Sequence, residues 1–303
     1  MKVLVLNGSP KGERSNTYRL TSAFLDGLRQ VQQAEVEVLE IGKLHLLPCR
    51  GCFACWSKTP GKCILQDDMA GVIEKLLAAD VLIWSFPLYY FSVPGLLKNF
   101  IDRQLPMNLP FMEEQEGQTG SGGHPSRYDM SGKRHLLIST CGFYTAKNNY
   151  DSVTKLFDHV CGTGQYESIF CGQGELFRVP ELKARTDEYL ECVRQAGREY
   201  AQKQAISEDA KEKLRELLYP RDVFEKMADA SWGVEKNSGE KEDPVLTFTR
   251  QMAALYNKDC FDGKERVLEI RYTDLGKAWQ IVLGKDGSTV LDAGSREATT
   301  VIE

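Results

Sequence analysis

The feature that most constrains this chain is a regular alternation, through its first two hundred residues, of short apolar runs with stretches of helical period. Residues 2–7, 36–41, 81–86, 135–141 and 166–171 read as strands, and residues 16–30, 67–78, 93–103, 152–161 and 180–204 as helices. Within 16–30, Leu20, Phe24 and Leu28 recur every four residues, so a helix there turns one apolar stripe toward a neighbour. Parallel strands need a long crossover, and a helix of this length both supplies it and covers the sheet. Five such units predict an α/β fold: a doubly wound, parallel, five-stranded sheet with a ligand crevice beyond the carboxyl ends of its strands.

The pattern changes after residue 204. Ser207-Glu208-Asp209 is set to cap a short helix running to Leu218, Pro220 restarts the chain, and residues 236–243 form a charged, glycine-containing linker. Residues 244–256 read as helical. Four β segments follow, at 266–272, 279–283, 289–292 and 299–302, with turns at Asp274-Leu275-Gly276, Lys285-Asp286-Gly287 and Ala293-Gly294. The organisation expected is therefore a sheet domain over 1–204, a helical linker over 205–243, and a small α+β unit over 244–303 ending in an antiparallel meander. Between the third helix and fourth strand, residues 113–131 are too polar and too long for a plain connection and read as a mobile surface loop.

Composition excludes several classes. Hydrophobic residues make up 42% and charged residues 27%, enough apolar material for a core in each unit. The 43 acidic side chains against 38 basic ones show no block of like charge, so neither nucleic acid nor an acidic membrane surface is expected as a partner. The uncharged run 81–97 is broken by Pro87 and Pro94 and is too short to cross a bilayer. No signal-peptide core precedes the first strand, so a cytoplasmic setting is expected, and the nine cysteines then argue for reduced thiols, metal ligation or redox chemistry.

The segment Asn7-Gly8-Ser9-Pro10-Lys11-Gly12-Glu13-Arg14-Ser15-Asn16-Thr17 lies between the first strand and the first helix, where free backbone amides and the helix dipole favour a phosphate. Hydroxyls of Ser9, Ser15 and Thr17 and the Asn16 amide are candidate donors, with Lys11 as a nearby cation. The segment matches neither the dinucleotide GxGxxG pattern nor the GxxxxGKS loop, so a monophosphate fits better than a dinucleotide or a nucleoside triphosphate. After the third strand, Pro87-Leu88-Tyr89-Tyr90-Phe91 offers flat apolar walls and fixed backbone geometry. Thr140-Cys141-Gly142 follows the fourth strand, with Cys141 read as a packing residue.

Taken together, Gly8-Ser9-Pro10 with Ser15-Asn16-Thr17, the loop from Pro87 to Phe91, and Leu97-Lys98-Asn99-Phe100-Ile101-Asp102-Arg103 resemble the NADPH-dependent FMN reductases and related flavodoxin-fold oxidoreductases. Phe86 departs from that pattern, standing where a small polar residue is common. The resemblance implies a flavodoxin-like fold, FMN held by the loops after the first, third and fourth strands, and NAD(P)H as hydride donor. Because the flavin carries the chemistry, it implies no catalytic side-chain set. Leu96, Leu97, Phe100 and Ile101 read as core, and Asp102-Arg103 as a local ion pair.

Cys49, Cys52, Cys55 and Cys63, spaced x2, x2 and x7, put four thiols within fifteen residues. Such a set can wrap zinc or an iron–sulfur cluster. The spacing resembles the compact cysteine motif of iron–sulfur flavoproteins, which implies a [4Fe–4S] cluster. Flavodoxin-fold oxidoreductases without a cluster carry similar segments, so three readings stay open: a cluster, zinc, or a metal-free loop. Asp67 or Asp68 is expected to cap the helix that follows.

Residues 244–303 resemble the first half of a sterol-carrier-protein-type domain, chiefly in Val267-Leu268-Glu269-Ile270 and Trp279-Gln280-Ile281-Val282-Leu283. A half-domain leaves a sheet face uncovered, which predicts packing against the first domain or another subunit; an oligomerisation tail without a ligand is the alternative. The function expected is an NAD(P)H-dependent FMN oxidoreductase, a homo-oligomer passing electrons to a small-molecule or protein acceptor. The competing readings are an iron–sulfur flavoprotein relaying single electrons between proteins and a flavin-binding scaffold.

Overall fold

The computed structural model describes residues 1–114, 122–234, 239 and 241–303. Contacts divide the chain into two compact units, Met1–Leu218 and Tyr219–Glu303. The first unit runs β1 (Lys2–Asn7), α1 (Asn16–Val31), β2 (Glu35–Glu40), α2 (Ala54–Ser57), α3 (Met69–Ala78), β3 (Val81–Pro87), α4 (Gly95–Asp102), β4 (Glu113–Glu114), β5 (Gly122–Gly123), β6 (Arg134–Thr140), α5 (Asp151–Cys161), β7 (Tyr166–Cys171), α6 (Lys183–Lys203) and α7 (Glu208–Arg215). Its main sheet has the order β2-β1-β3-β6-β7, and each neighbouring pair is parallel. The sequence-predicted strands and helices of this unit are all present.

Burial follows position in the sheet. The interior strands β1, β3 and β6 are buried along almost their whole length, because helices cover both faces. The edge strands are less completely covered: β2 alternates exposed and half-buried positions over its first half, and β7 is mostly half-buried. One face carries α1 and α6, which approach so closely that a Cβ on Gly27 would lie 1.9 Å from the Arg194 carbonyl oxygen. The other face packs Met69, Val72, Leu97, Phe100, Val153 and Phe157 against Leu4, Leu6 and Trp84. Trp84 meets Phe157 edge-on at 5.1 Å.

Register brings the carboxyl ends of four strands level. Asn7 is opposite Ser85, Pro87 opposite Thr140, and Thr140 opposite Cys171. The strand order reverses between β1 and β3, so the loops leaving those two strands diverge and open a crevice.

Of the sequence-predicted loop 113–131, residues 115–121 lie outside the described residues; its flanks pair as the short antiparallel ribbon β4–β5. Residues 235–238 and 240, within or beside the predicted linker 236–243, also lie outside them. The rest of the 205–243 stretch is divided between the units: α7 packs on α6 and β7, whereas α8 (Arg221–Ser231) packs on α9 (Pro244–Ala254).

The second unit continues with β8 (Arg266–Tyr272), β9 (Lys277–Gly284), β10 (Gly287–Asp292) and β11 (Thr300–Ile302) in the order β10-β9-β8-β11. The first three form the expected antiparallel meander, but β11 crosses to the far edge and pairs parallel to β8. The sheet face expected to await another partner is packed by α9, with Ala253 against Ile270 and Ile281. On the opposite face the Gln280 side chain bonds Glu269 and both backbone polar groups of Arg296, pinning the segment between β10 and β11. Among the described residues no helix is long and apolar enough to cross a membrane.

Candidate functional site

Beyond the carboxyl ends of β1, β3, β6 and β7 lies a cleft lined by Ser9, Lys11, Ser15, Asn16, Thr17, Pro87, Leu88, Tyr89, Thr140, Cys141, Gly142, Gly174, Glu175 and Arg178. Eleven of the thirteen residues singled out in sequence as a cofactor site are therefore together here. Tyr90 and Phe91 are not among the lining residues. Tyr89 and Ser92 exchange backbone hydrogen bonds of 2.9 and 3.0 Å, which close a two-residue turn carrying Tyr90 at φ 48° and Phe91 at φ 62°. That turn leaves Tyr90 98% exposed, and Phe91 stacks on Phe143 at 5.3 Å.

The β1–α1 loop supplies the polar floor. Gly12 sits at φ 57°, a left-handed backbone that glycine adopts without strain, and a Cβ there would lie 2.2 Å from Glu40 Oε2 and push that side chain aside. Ser15 caps α1, its Oγ accepting from the Tyr18 amide at 3.1 Å, and Ser9 Oγ accepts from the Lys11 amide at 3.3 Å. A hydroxyl has one hydrogen to give. Both are spent here only as acceptors among the described residues, both side chains are 97% buried, and each still has its hydrogen to donate into the cleft. The α1 amino end adds its partial positive charge.

Two of the sequence-predicted donors are differently employed. Asn16 Nδ2 donates to the Gly174 carbonyl at 2.7 Å, and its Oδ1 accepts from Arg178 Nε at 3.2 Å. The Thr17 and Thr140 hydroxyls share one hydrogen bond of 2.6 Å, which leaves one hydrogen between them. Sequence reasoning missed Gly174, Glu175 and Arg178, which arrive from the turn after β7; the Gly174 and Arg178 contacts to Asn16 span about 160 residues of chain. Burial pushes the Cys141 thiol up from its ordinary range, and its Sγ contacts the Thr145 carbonyl at 3.8 Å, which keeps it a neutral packing group.

Cys49, Cys52, Cys55 and Cys63 line one small cavity together with Phe53, Ile64, Arg103 and Pro106. Cys49 and Cys52 are exposed, Cys63 is half-buried and Cys55 is buried. Burial raises the Cys55 thiol, and the neighbouring Cys63, Cys49 and Cys52 push the same way, so the four sulfurs act on one another. The soft donor set suits a thiolate-bound centre. Among the described residues, however, no three His, Cys, Asp or Glu side chains are placed to hold a single metal ion. The cavity of about 20 Å³ has room for about one water, so a cluster requires residues 49–63 to open around it.

Arg103 forms the floor of this cavity. It does not pair with Asp102, which takes Lys98 at 2.7 Å; it pairs with Asp67, at 2.5 Å from Nη1 and 2.9 Å from Nη2, both side chains essentially without solvent exposure. Asp67 also accepts from the Leu47 and Met69 amides at 2.9 and 3.2 Å. Through Met69 it satisfies one free amide at the start of α3, while Asp68, which stands at the N-cap position, makes no capping bond and takes the His45 amide instead. The Arg103 bond is the main cause holding the Asp67 carboxyl down to about 2.

A second, wider cavity of about 660 Å³ lies along edge strand β7 beside α7. There Lys211 is matched by Glu167 at 3.0 Å and Glu208 at 3.2 Å.

Comparison with known proteins agrees with this architecture. A family described as having a flavodoxin-like fold matches residues 1–195. An iron–sulfur flavoprotein of Archaeoglobus fulgidus is 34% identical over 103 residues, 34% of this chain and 48% of that protein. The chain spans about half the length of the iron–sulfur flavoproteins it matches. An FMN-dependent NAD(P)H:quinone oxidoreductase of Pseudomonas aeruginosa is 30% identical over 149 residues, 46% of this chain and 68% of that one. The crystal structure of an FMN-dependent NADH-azoreductase from Bacillus anthracis, in complex with FMN, aligns at a TM-score of 0.47 with 18% identity, covering 67% of this chain and 99% of that one. With the matched segment accounting for nearly all of the five-stranded unit, this chain belongs to the flavodoxin-like fold family.

Proposed function

We propose that the cleft binds FMN and that the protein is an oxidoreductase taking hydride from NAD(P)H and passing the electrons to a small acceptor of the quinone or azo class. The observation that carries the reading is the convergence, at the sheet's switch point, of buried hydroxyls with unspent hydrogens, a helix amino terminus and an apolar wall. Relatives named as FMN-dependent NAD(P)H:quinone and NADH:quinone oxidoreductases support it. When bound, FMN supplies a ring that accepts hydride and releases electrons singly or in pairs.

The chain's own residues hold and shield that group. Ser9 and Ser15 donate to its phosphate beside the α1 amides, and Pro87, Leu88 and Tyr89 wall the ring side. Gly142, with no Cβ, allows the backbone close to the ring edge. Heat release and chromatography should yield FMN, and the holoprotein should oxidise NADH or NADPH in the presence of a quinone. Recovery of FAD alone, or no bound flavin after incubation with FMN, would overturn the reading.

A second reading, an iron–sulfur flavoprotein relaying single electrons, is favoured by the four cysteines lining one cavity and by relatives of that name. Cys49, Cys52, Cys55 and Cys63 would hold the cluster. Anaerobic purification with iron and sulfide assays tests it: near four of each per chain supports a cluster, and none after anaerobic reconstitution removes it.

A further inference from the structure

The turn after β7 brings a cation to the cleft that no loop motif announces. Arg178 closes the short helical turn Gly174–Arg178 and lines the cleft beside Ser9, Ser15 and Asn16. Its Nε is committed to Asn16 Oδ1 at 3.2 Å, and the opposite end of the same amide is committed to the Gly174 carbonyl at 2.7 Å. Asn16 is thereby a strut with both ends occupied, fixing the plane of the guanidinium relative to the α1 amino terminus. With Nε spent, Nη1 and Nη2 remain, the pair of donors that meets two oxygens of a phosphate in parallel.

Other groups around the cleft fit the same ligand end. The buried Ser9 and Ser15 hydroxyls have hydrogens to give, and α1, sixteen residues long, aims its positive end there. Lys11 lines the cleft as well, but it bonds Ser9 through its backbone amide, and among the described residues its ammonium is not held as the Arg178 fork is. Glu175, the one acid in the lining, keeps the local charge from being wholly cationic.

We propose that Arg178, positioned by Asn16, is the specificity residue for the dianionic phosphate of the bound flavin, so that the cleft retains phosphorylated flavin and discriminates against riboflavin. The inference rests on the cleft being the FMN site and assigns the selectivity within it to a turn distant in sequence from the phosphate loop. An exposed guanidinium that meets a phosphate through two bonds adds both attraction and salt dependence to binding.

The test is fluorescence titration of the flavin-stripped full chain with FMN and, separately, with riboflavin, over a range of salt. Arg178→Gln should raise the Kd for FMN at least tenfold, leave that for riboflavin within twofold, and flatten the salt dependence of FMN binding. Arg178→Lys should recover part of the salt dependence and little of the affinity. Asn16→Ala should move the FMN-to-riboflavin ratio in the same direction. If Arg178→Gln weakens both flavins equally, the residue only braces the turn, and the proposal fails; it fails equally if FMN affinity does not change. A wild-type chain that binds neither flavin would instead overturn the FMN reading on which this rests.

Discussion

The buried pair Asp67–Arg103 gives the sharpest quantitative expectation. Replacing Arg103 with Met leaves the Asp67 carboxylate, with no solvent exposure, facing only the Leu47 and Met69 amides. Breaking one side of such a pair costs about 3–5 kcal/mol, and Asp67→Asn, which strands the guanidinium, should cost a similar amount. Replacing both, as Asp67→Leu with Arg103→Met, removes both charges and forfeits three bonds, the two amide bonds to Asp67 and that from Arg103 to the Leu47 carbonyl, about 1 kcal/mol each. The double variant should therefore be about as stable as either single one or more so, with a coupling of about 3 kcal/mol or more.

The same pair predicts a pH dependence. The folded Asp67 carboxyl sits at about 2 against an ordinary 3.8. A lowered folded value means that the charged form is favoured by folding, so the stabilisation is complete above pH 4–5 and fades as pH falls from 3.8 toward 2. The amount is about 2 kcal/mol, and Asp67→Asn should flatten that part of the curve. Because the chain has two units, the signal should come from Trp84, buried in the first, with the other three tryptophans replaced by Phe. Additive single-variant losses, or losses below 1 kcal/mol each, would refute the reasoning.

Three further outcomes are expected. Gly27→Ala should destabilise the first unit by about 3 kcal/mol or more in urea unfolding, since its Cβ would meet a carbonyl oxygen on α6, which cannot rotate away as a side chain would. Replacing Tyr90-Phe91 by Asn-Gly should stabilise the fold by about 1–3 kcal/mol, because both positions hold left-handed backbone that those residues tolerate; an unchanged or lowered midpoint would show that the aromatic contacts outweigh the strain. Ser15→Ala should cost about 1 kcal/mol through loss of the α1 cap and also weaken FMN retention, whereas retention at wild-type strength would exclude its hydroxyl from the phosphate contacts.

Periodicity made the doubly wound sheet legible, because a buried interior strand and a helix with one apolar stripe are both written within a dozen residues. That Ser9, Ser15 and Thr17 would line one cleft was legible for the same reason: they lie within ten residues of one another and share a strand-to-helix turn. The Asp67 bond to the first amide of α3 was likewise a local matter. The cysteine spacing placed four thiols at one cavity, though spacing alone does not set the distances between sulfurs.

Contacts closed across long stretches of chain were not legible. Arg103 has an acid beside it in sequence, yet α4 turns Asp102 toward Lys98 and carries Arg103 inward to Asp67, because i,i+4 positions share a helix face and adjacent ones do not. Tyr90 and Phe91 belong to the right loop, but the handedness of their turn, set by the Tyr89–Ser92 backbone pair, leaves them out of the cleft lining. In the second unit, alternation identified four strands without revealing that β11 returns parallel to β8 or that α9 covers the sheet, since period says which residues share a face and nothing about what lies on it. The chemical character of the cleft was therefore settled locally by the residues after β1, whereas its completion by Gly174 and Arg178 was decided only when parallel register brought the end of β7 level with the end of β1.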